Sequence, residues 1–344
     1  MAHTKVTITA IAREAGVSVA TVSRVVNGRA DVGRQTRERV QELLRRHGYR
    51  PRAGTRRGRA ALVEVVFHQL GPHAGEILRG VERTAAPAGI GTAVSVVPYE
   101  TTGPDRRQWL AGLRRRAPSG VILATWGLDP ALHGELRRLG VPLVMVDLVG
   151  WSGAELPSVG ATNWAAGRTA TEHLLRLGHR RIGFIAGPPR LPCNTARQAG
   201  YREALRTAGL PVEDRLTVGA DYANADPRSS LEACRRLMAL PQPPTAVFAS
   251  CDEMALGARE ALRGLGLRVP QDVSMVGLDD LPATRLPATR LTTVRQPLRE
   301  MGAVAFRALR RLSRGDRLDV PRVELATELV VRSTTAPPPP ATAR

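Results

Sequence analysis

The 344 residues carry 50 Lys and Arg against 31 Asp and Glu, a formal net charge of +19, with 43% hydrophobic and only 3% aromatic residues. That length predicts two or three units rather than one, with cores built mainly of Ala, Val and Leu. No run approaches the roughly 20 apolar residues of a membrane span, the N-terminus lacks an apolar signal core, and the three cysteines, Cys193, Cys234 and Cys251, form no C-x-x-C pair that would suit a zinc site or a disulfide framework. A soluble cytoplasmic chain is expected, with no membrane partner, no metal and no cofactor.

The charge is unevenly placed. Residues 1–60 hold 14 Lys and Arg against 4 Asp and Glu, so about half the excess sits in a sixth of the chain. Forty-nine of the 50 basic residues are Arg, a bias that explains the choice of Arg over Lys but not the clustering. A concentrated basic segment suits a polyanion, because each neutralised phosphate releases a counterion.

Within that segment Thr9 to Ala15 reads as a short helix, with Ile8, Ile11 and Ala12 at helical spacing and Gly16 ending it. Ser18 is a good N-cap for a second helix over Val19 to Val26. A third helix follows Gly33, with Val40, Leu43, Leu44 and His47 on one face. Two short helices joined by a tight turn and braced by a third predict a helix-turn-helix. In the second helix Val22, Val25 and Val26 face inward, which leaves Val19, Ala20, Thr21, Ser23 and Arg24 outside. Small apolar groups suit thymine methyls, hydroxyls suit phosphates, and an Arg can grip guanine through two hydrogen bonds. A merely solvated helix is the competing reading.

The stretch ITAIAREAGVSVATVSRVVNGRADVGRQTRERVQELLRRHGYRP resembles the DNA-binding headpiece of the LacI/GalR family, through A-x-x-A-G-V-S, the T-V-S-R-V-V-N-G run, and T-R-E-R-V leading to G-Y-x-P. The resemblance implies that Val19, Ala20 and Arg24 read bases, and that Ser18, Thr21, Ser23, Asn27 and Thr36 hold phosphates. Residues 6–50 are the expected DNA-binding domain. Residues 51–60 form a basic linker in which the family carries a hinge helix with a wedging Leu. This chain has no such Leu and places Gly54 and Gly58 there, with Arg50, Arg52, Arg56, Arg57 and Arg59 running through the segment. Glycine disfavours a helix by about 1 kcal/mol, so Arg56 and Arg57 are expected to contact phosphates instead.

From residue 61 onward, β-rich runs alternate with helical patterns. The strands are ALVEVVF, GTAVSVVP, GVILAT, PLVMVD, RIGFIAG, TAVFAS and VSMVGL. Helices are expected over 76–85, 106–116, 130–139, 164–177, 195–208, 227–239 and 253–265. Such alternation predicts an α/β domain of parallel sheets covered by helices, with ligand at the carboxyl ends of the strands. The segments LLRLGHRRIGFIAGP, ARQAGYREAL, DEMALGARE, LRVPQDVSMVGLDD and LTTVRQPLREMG resemble the effector domain of the same family. The implied fold is a two-lobed, periplasmic-binding-protein-like (type I) domain over 61–334, crossed near Gly160, Thr292 and Pro321. The Pro-rich residues 335–344 are expected to be disordered.

The resemblance makes Arg197 and Asp279 the main polar contacts to a sugar, and a forked donor with a carboxylate acceptor does suit vicinal hydroxyls. Asp147 is a similar candidate from the other lobe. Cys251 stands where the family more often has Asn or Ser. Trp126 follows a strand end and could stack on a sugar or simply pack. Cys193 and Asn194 precede Arg197 in a cleft-facing loop, where they either contact the ligand or do not, and Asp252 reads as a helix N-cap. The expected function is a transcription regulator, a repressor, whose operator binding is controlled by a small carbohydrate. It would act as a homodimer or higher oligomer on a pseudo-palindromic double-stranded site. An enzyme is disfavoured, since no P-loop, G-x-S-x-G or metal-spaced His/Cys cluster occurs. A secreted sugar-binding protein would suit the large domain but not the headpiece.

Overall fold

The computed structural model describes residues 7–26, 32–47, 61–97, 103–124, 130–147, 156–189, 191–221 and 227–340. Contacts divide the chain into two compact units, Met1–Arg59 and Ala60–Arg344.

The first unit contains α1 (Ile8–Ala15), α2 (Val19–Val26) and α3 (Arg34–Arg46). Thr7 caps α1, its hydroxyl accepting from the Ala10 N–H at 3.3 Å, so the helix starts a residue before the expected Thr9. Gly16 ends it in the left-handed conformation (φ 65°), a turn that only glycine makes without steric cost. Ser18 opens α2 as expected, accepting from the Thr21 N–H at 3.1 Å. One small core joins the three helices: Ile11, Ala12 and Ala15 from α1, Val22 and Val25 from α2, Val40 and Leu43 from α3.

The second unit is two lobes of like construction. The first holds β1 (Ala61–Phe67), α4 (Pro72–Ala85), β2 (Ile90–Val96), α5 (Gly103–Arg116), β3 (Gly120–Ala124), α6 (Pro130–Arg138), β4 (Leu143–Val146) and β5 (Ser158–Ala161). The chain then builds α7 (Asn163–Arg176), β6 (Ile182–Ala186), α8 (Pro192–Thr207), β7 (Thr217–Gly219), α9 (Pro227–Met238), β8 (Ala246–Ala249), α10 (Asp252–Gly264), β9 (Ser274–Asp279) and β10 (Thr292–Arg295) in the second lobe. It returns to the first for α11 (Leu298–Ser313) and β11 (Arg322–Leu325), and ends in the second with β12 (Glu328–Val330). The sheet orders are β11-β5-β4-β3-β1-β2 and β12-β10-β9-β8-β6-β7. Neighbours are parallel except β10 and β12.

Both faces of each sheet are covered, which is why most strands are apolar along their whole length. In the first lobe α4 and α11 bury Ile77, Val81, Met301 and Phe306 on one face. Leu110, Leu113 and Leu136 from α5 and α6 cover the other. In the second, α7 and α8 bury Ala166, Ala170, Leu174 and Tyr201, while α9 and α10 bury Leu237, Met254 and Leu262.

Several expectations need correction. Helices α4 and α8 begin at Pro72 and Pro192, earlier than the apolar periodicity suggests, because a first-turn proline loses no hydrogen bond and is already set to the helical φ. Helix α11 is absent from the expected elements although Leu298, Met301, Ala305, Phe306 and Leu309 recur at helical spacing on its buried face; the strands β5, β7, β10, β11 and β12, of three or four residues each, carry too little alternation to be read from sequence. The lobes are crossed at Thr162, at Gln296–Pro297 and at Ala326–Thr327. The last two lie a few residues beyond the expected Thr292 and Pro321, which belong to β10 and to the approach of β11. Thr162 and Thr327 tie the first and third crossings together, hydroxyl to hydroxyl at 3.1 Å and through the Thr327 N–H at 3.2 Å. Nor does the chain leave the domain at residue 335. The Thr335 hydroxyl meets His173 Nε2 at 3.0 Å, and the Ala336 carbonyl accepts from the Ser274 hydroxyl at 2.9 Å and lies 2.9 Å from His179 Nε2. Two buried histidines need hydrogen-bond partners there, and the segment expected to be disordered supplies them.

Candidate functional site

On α2 the packed valines turn the other side outward. Ser18, Val19, Ala20 and Arg24 are exposed and Thr21 and Ser23 half-buried, with Val19 a large apolar residue left 42% exposed. The Ser18 and Thr21 hydroxyls lie 2.9 Å apart at the helix start. Thr36 is half-buried in the first turn of α3. Asn27, Arg56, Arg57 and the 51–60 linker lie outside the described residues, as does Trp126.

In the second unit the carboxyl ends of β1, β3, β4, β8 and β9 open on a cleft between the lobes, with about 680 Å³ of empty space including its mouth. Asp147, Arg197, Cys251 and Asp279 all line it, together with Cys193. Asp147 directly follows β4 and Asp279 ends β9, strands that hold the same place in the two sheet orders. Both residues have positive φ, 62° and 125°, a conformation rarely adopted by non-glycine residues and concentrated at functional positions.

The polar groups are held from behind. Arg197 is 3% exposed. Its Nε donates to Asn163 Oδ1 at 2.7 Å and its Nη1 to the Ser250 carbonyl at 2.8 Å, while Asn163 Nδ2 donates to the Ala161 carbonyl at 3.1 Å. Asp279 Oδ1 accepts from Gln296 Nε2 at 2.6 Å. Asn163 adjoins the first crossing and Gln296 lies in the second, so both main polar candidates are fastened to the segments about which the lobes would move. Burial pushes the Asp279 carboxyl above the usual range, opposed by His73, Arg197 and the Gln296 hydrogen bond. Burial and then Asp279 push Glu253 up as well. The Cys251 thiol is driven well above its ordinary range, by burial first and by Asp279 second; it faces the cleft as a neutral, weakly hydrogen-bonding group.

Two readings fail. Asn194 does not face the cleft: its Oδ1 accepts from the Gly187 N–H at 2.8 Å and its Nδ2 donates to the Gly187 carbonyl at 2.6 Å. With helix α8 starting at Pro192, residues 193 and 194 point apart, and Asn194 clamps the loop after β6. Asp252 is not an N-cap, since Cys251 holds that position. It is a buried bracket, with Oδ1 accepting from the Thr293 hydroxyl at 2.6 Å and Oδ2 from the Leu281 N–H at 2.7 Å. Sequence reasoning missed His68, His73 and Glu253, which also line the cleft. Attention to residues just beyond β1 and in the first turn of α10 would have found them, by the strand-end rule already applied elsewhere. The second-row residues Asn163 and Gln296 carry no such signal. Among the described residues no group of His, Cys, Asp and Glu is arranged to hold a metal ion, and no helix is long and apolar enough to cross a membrane.

A three-helix headpiece with an outward recognition helix, followed by a two-lobed α/β domain with a polar cleft, defines a DNA-binding transcription regulator built on a periplasmic-binding-protein-like fold. Residues 7–52 match the model of bacterial regulatory proteins of the lacI family, and residues 171–335 that of a periplasmic binding protein-like domain. The chain is 33% identical over 335 residues to catabolite control protein A of Priestia megaterium, covering 96% of this chain and 99% of that one. A complex of the transcriptional regulator CelR with cellobiose superimposes with a TM-score of 0.72 at 32% identity, covering 96% and 99% of the two chains. The lac repressor dimer bound to operator and an anti-inducer gives 0.69 at 28%, covering 97% and 100%. The chain belongs to the LacI family.

Proposed function

We propose that this regulator is a repressor, not an enzyme, and that a carbohydrate-like effector in the inter-lobe cleft controls its hold on a pseudo-palindromic operator. The observation that carries the effector reading is the pairing of Asp147 with Asp279 at equivalent strand ends of the two lobes, opposite a guanidinium, Arg197, already held in place. A ligand touching both lobes favours one lobe arrangement over the other, and it shifts the population only by that differential affinity. Gln296 and Asn163 make the contacts sensitive to the crossings. Relatives in this family are known in complex with cellobiose and with operator DNA, which supports the same pair of ligands for this chain.

In the headpiece Val19, Ala20 and Arg24 read bases, and Ser18, Thr21, Ser23, Asn27 and Thr36 hold phosphates. Arg56 and Arg57 add backbone contacts through the linker, and two linked headpieces of a homodimer raise affinity through effective concentration. Sequencing the DNA that the purified protein retains from its own genome identifies the operator. On that operator Arg24→Ala costs about 1–3 kcal/mol and relaxes preference at one base pair per half-site; equal loss on random DNA reassigns Arg24 to a phosphate. Thermal shift against a sugar panel tests the cleft. Arg197→Ala and Asp279→Ala each lose at least about tenfold in effector affinity while operator binding persists, as expected for a charge-assisted hydrogen bond. A variant responding as the parent does removes that residue from the site.

A further inference from the structure

The charge of the cleft bears on the kind of carbohydrate it takes. Three of its lining side chains are carboxylates, Asp147, Glu253 and Asp279, against a single guanidinium, Arg197, among the described residues. The other titratable groups there are His68, His73, Cys193 and Cys251. Arg197 already directs two of its nitrogens at Asn163 and Ser250, so the cleft is rich in acceptors.

Asp147 is the decisive residue. Its side chain is only 10% exposed, and its Oδ1 is buried with no hydrogen-bond partner. Its other oxygen stands 3.9 Å from His73 Nε2, beyond hydrogen-bond reach. A buried carboxylate oxygen without a donor is costly, and Asp147 is among the residues that line the cleft. His73 and Arg197 favour the charged form of Asp279, but Asp147 works against it, and Asp279 in turn disfavours the charged form of Glu253, so a residual repulsion runs among the three carboxylates. A neutral hydroxyl would satisfy one oxygen but leave that repulsion. A protonated amine has three donors and a positive charge, and answers both.

Resting on the effector reading above, we propose that the effector is a cationic amino sugar, its ammonium group held by Asp147, Glu253 and Asp279 and its hydroxyls by Arg197 and His73. Glu253 enters from the first turn of α10 and the two aspartates from the ends of β4 and β9, so the amine is gripped by both lobes at once. Sugars bearing phosphate or carboxylate meet three acceptors and are rejected.

The test uses the full-length protein and matched sugars: glucose with glucosamine, galactose with galactosamine, and cellobiose with the chitosan disaccharide. Glucose 6-phosphate, glucuronate, N-acetylglucosamine, N-acetylgalactosamine, di-N-acetylchitobiose and 1,4-diaminobutane complete the set. Isothermal titration is expected to show at least a tenfold preference for the amine in one pair, lost in its N-acetyl form, with no binding of the anionic sugars or of the diamine. Asp147→Asn and Glu253→Gln should each shrink that preference to threefold or less; Asn tolerates the positive φ at position 147. If Asp147→Asn does not fold, Glu253→Gln and the N-acetyl comparison still decide. Neutral and amino sugars binding alike, an anionic sugar binding, or a preference unchanged in the variants overturns the amine assignment. The effector reading then stands if Arg197→Ala abolishes whatever sugar binding is seen. Binding by the diamine alone, or by nothing in the set, overturns both.

Discussion

The two lobes of the effector unit share a strand order and differ in what they bring to the cleft. The second lobe presents finished parts: Arg197 pinned to Asn163 and Ser250, and Asp279 pinned to Gln296. Next to Asp279, Asp280 is buried, which alone would raise its carboxyl, yet Arg295 and Arg332, bonded at 2.8 and 2.5 Å, hold it below the usual range. The first lobe presents Asp147 with an oxygen unsatisfied and His73 out of hydrogen-bond range. On the proposed effector reading, one lobe is organised in advance and the other is completed by what binds. That division lowers the ordering cost of the first contact and leaves the second to report closure.

The helix pair behind each lobe gives the most severe way to separate the two roles. A Cβ at Gly167 would lie 2.0 Å from the Arg197 carbonyl, and one at Gly80 would lie 1.9 Å from that of Arg299. Both contacts are with backbone, so the helices must part. Each Gly→Ala change is expected to cost about 3 kcal/mol in chemical denaturation, at the upper end for overpacking. Only Gly167→Ala should also weaken effector binding, because it displaces the segment of α8 that carries Arg197. Equal binding losses in both variants would mean that the second lobe is not the pre-organised one.

The first strands of the two lobes, each next to an edge strand, differ as well. Strand β6 is apolar throughout, whereas β1 buries Glu64, which accepts from Ser95 at 2.7 Å, Trp109 at 3.2 Å, and Arg116 at 2.8 and 2.6 Å. Removing the cation strands a buried charge, which costs about 3–5 kcal/mol for a fully buried pair. Arg116 is 37% exposed, so Arg116→Ala should cost about 2 kcal/mol, discounted for solvent screening. Glu64→Leu combined with Arg116→Leu should recover most of it. A double variant as unstable as the single one would show that the network specifies the lobe rather than merely satisfying its own carboxylate.

Asn194→Ala removes both bonds to Gly187 and should cost about 2 kcal/mol at roughly 1 kcal/mol per bond, with effector affinity within threefold of the parent. A larger affinity loss would return Asn194 to the cleft.

The smallest effect depends on pH. Burial holds His173 and His179 below the ordinary imidazole range, helped at His173 by Arg176 and His179 and resisted at His179 by the Ala336 carbonyl. The unfolded chain therefore binds these protons more readily than the folded one. Their contribution is complete above pH about 6.5 and declines as the pH falls below it. Denaturation midpoints measured between pH 7.5 and 5 should fall, and His179→Gln should flatten the slope. An unchanged slope in that variant would place the proton uptake elsewhere.

What the sequence determined by itself was whatever is encoded in neighbours along the chain. The headpiece was legible almost to the residue, because the Gly16 turn, the Ser18 cap and the helical spacing of Val22 with Val25 and of Val40 with Leu43 are local signals. The alternation of strands and helices likewise announced parallel sheets, and the strand-end rule reached Asp147, while Arg197 and Asp279 came from the resemblance. Tertiary structure alone decided which side chains meet. Asn194 and Arg197 lie three positions apart on one helix, yet one clamps Gly187 and the other lines the cleft. Asp252 opens α10 after β8 and Asp279 ends β9, yet one braces Thr293 and the other lines the cleft. The crossings that hold Gln296 and Thr162 carry no periodic pattern, because their partners are more than a hundred residues away in the chain for Thr162 and Thr327 and on another strand for Gln296 and Asp279. Periodicity reports which face of an element is buried; it carries no information about what a long-range neighbour offers to that face, and the hydrogen bonds that organise this cleft are made by such neighbours.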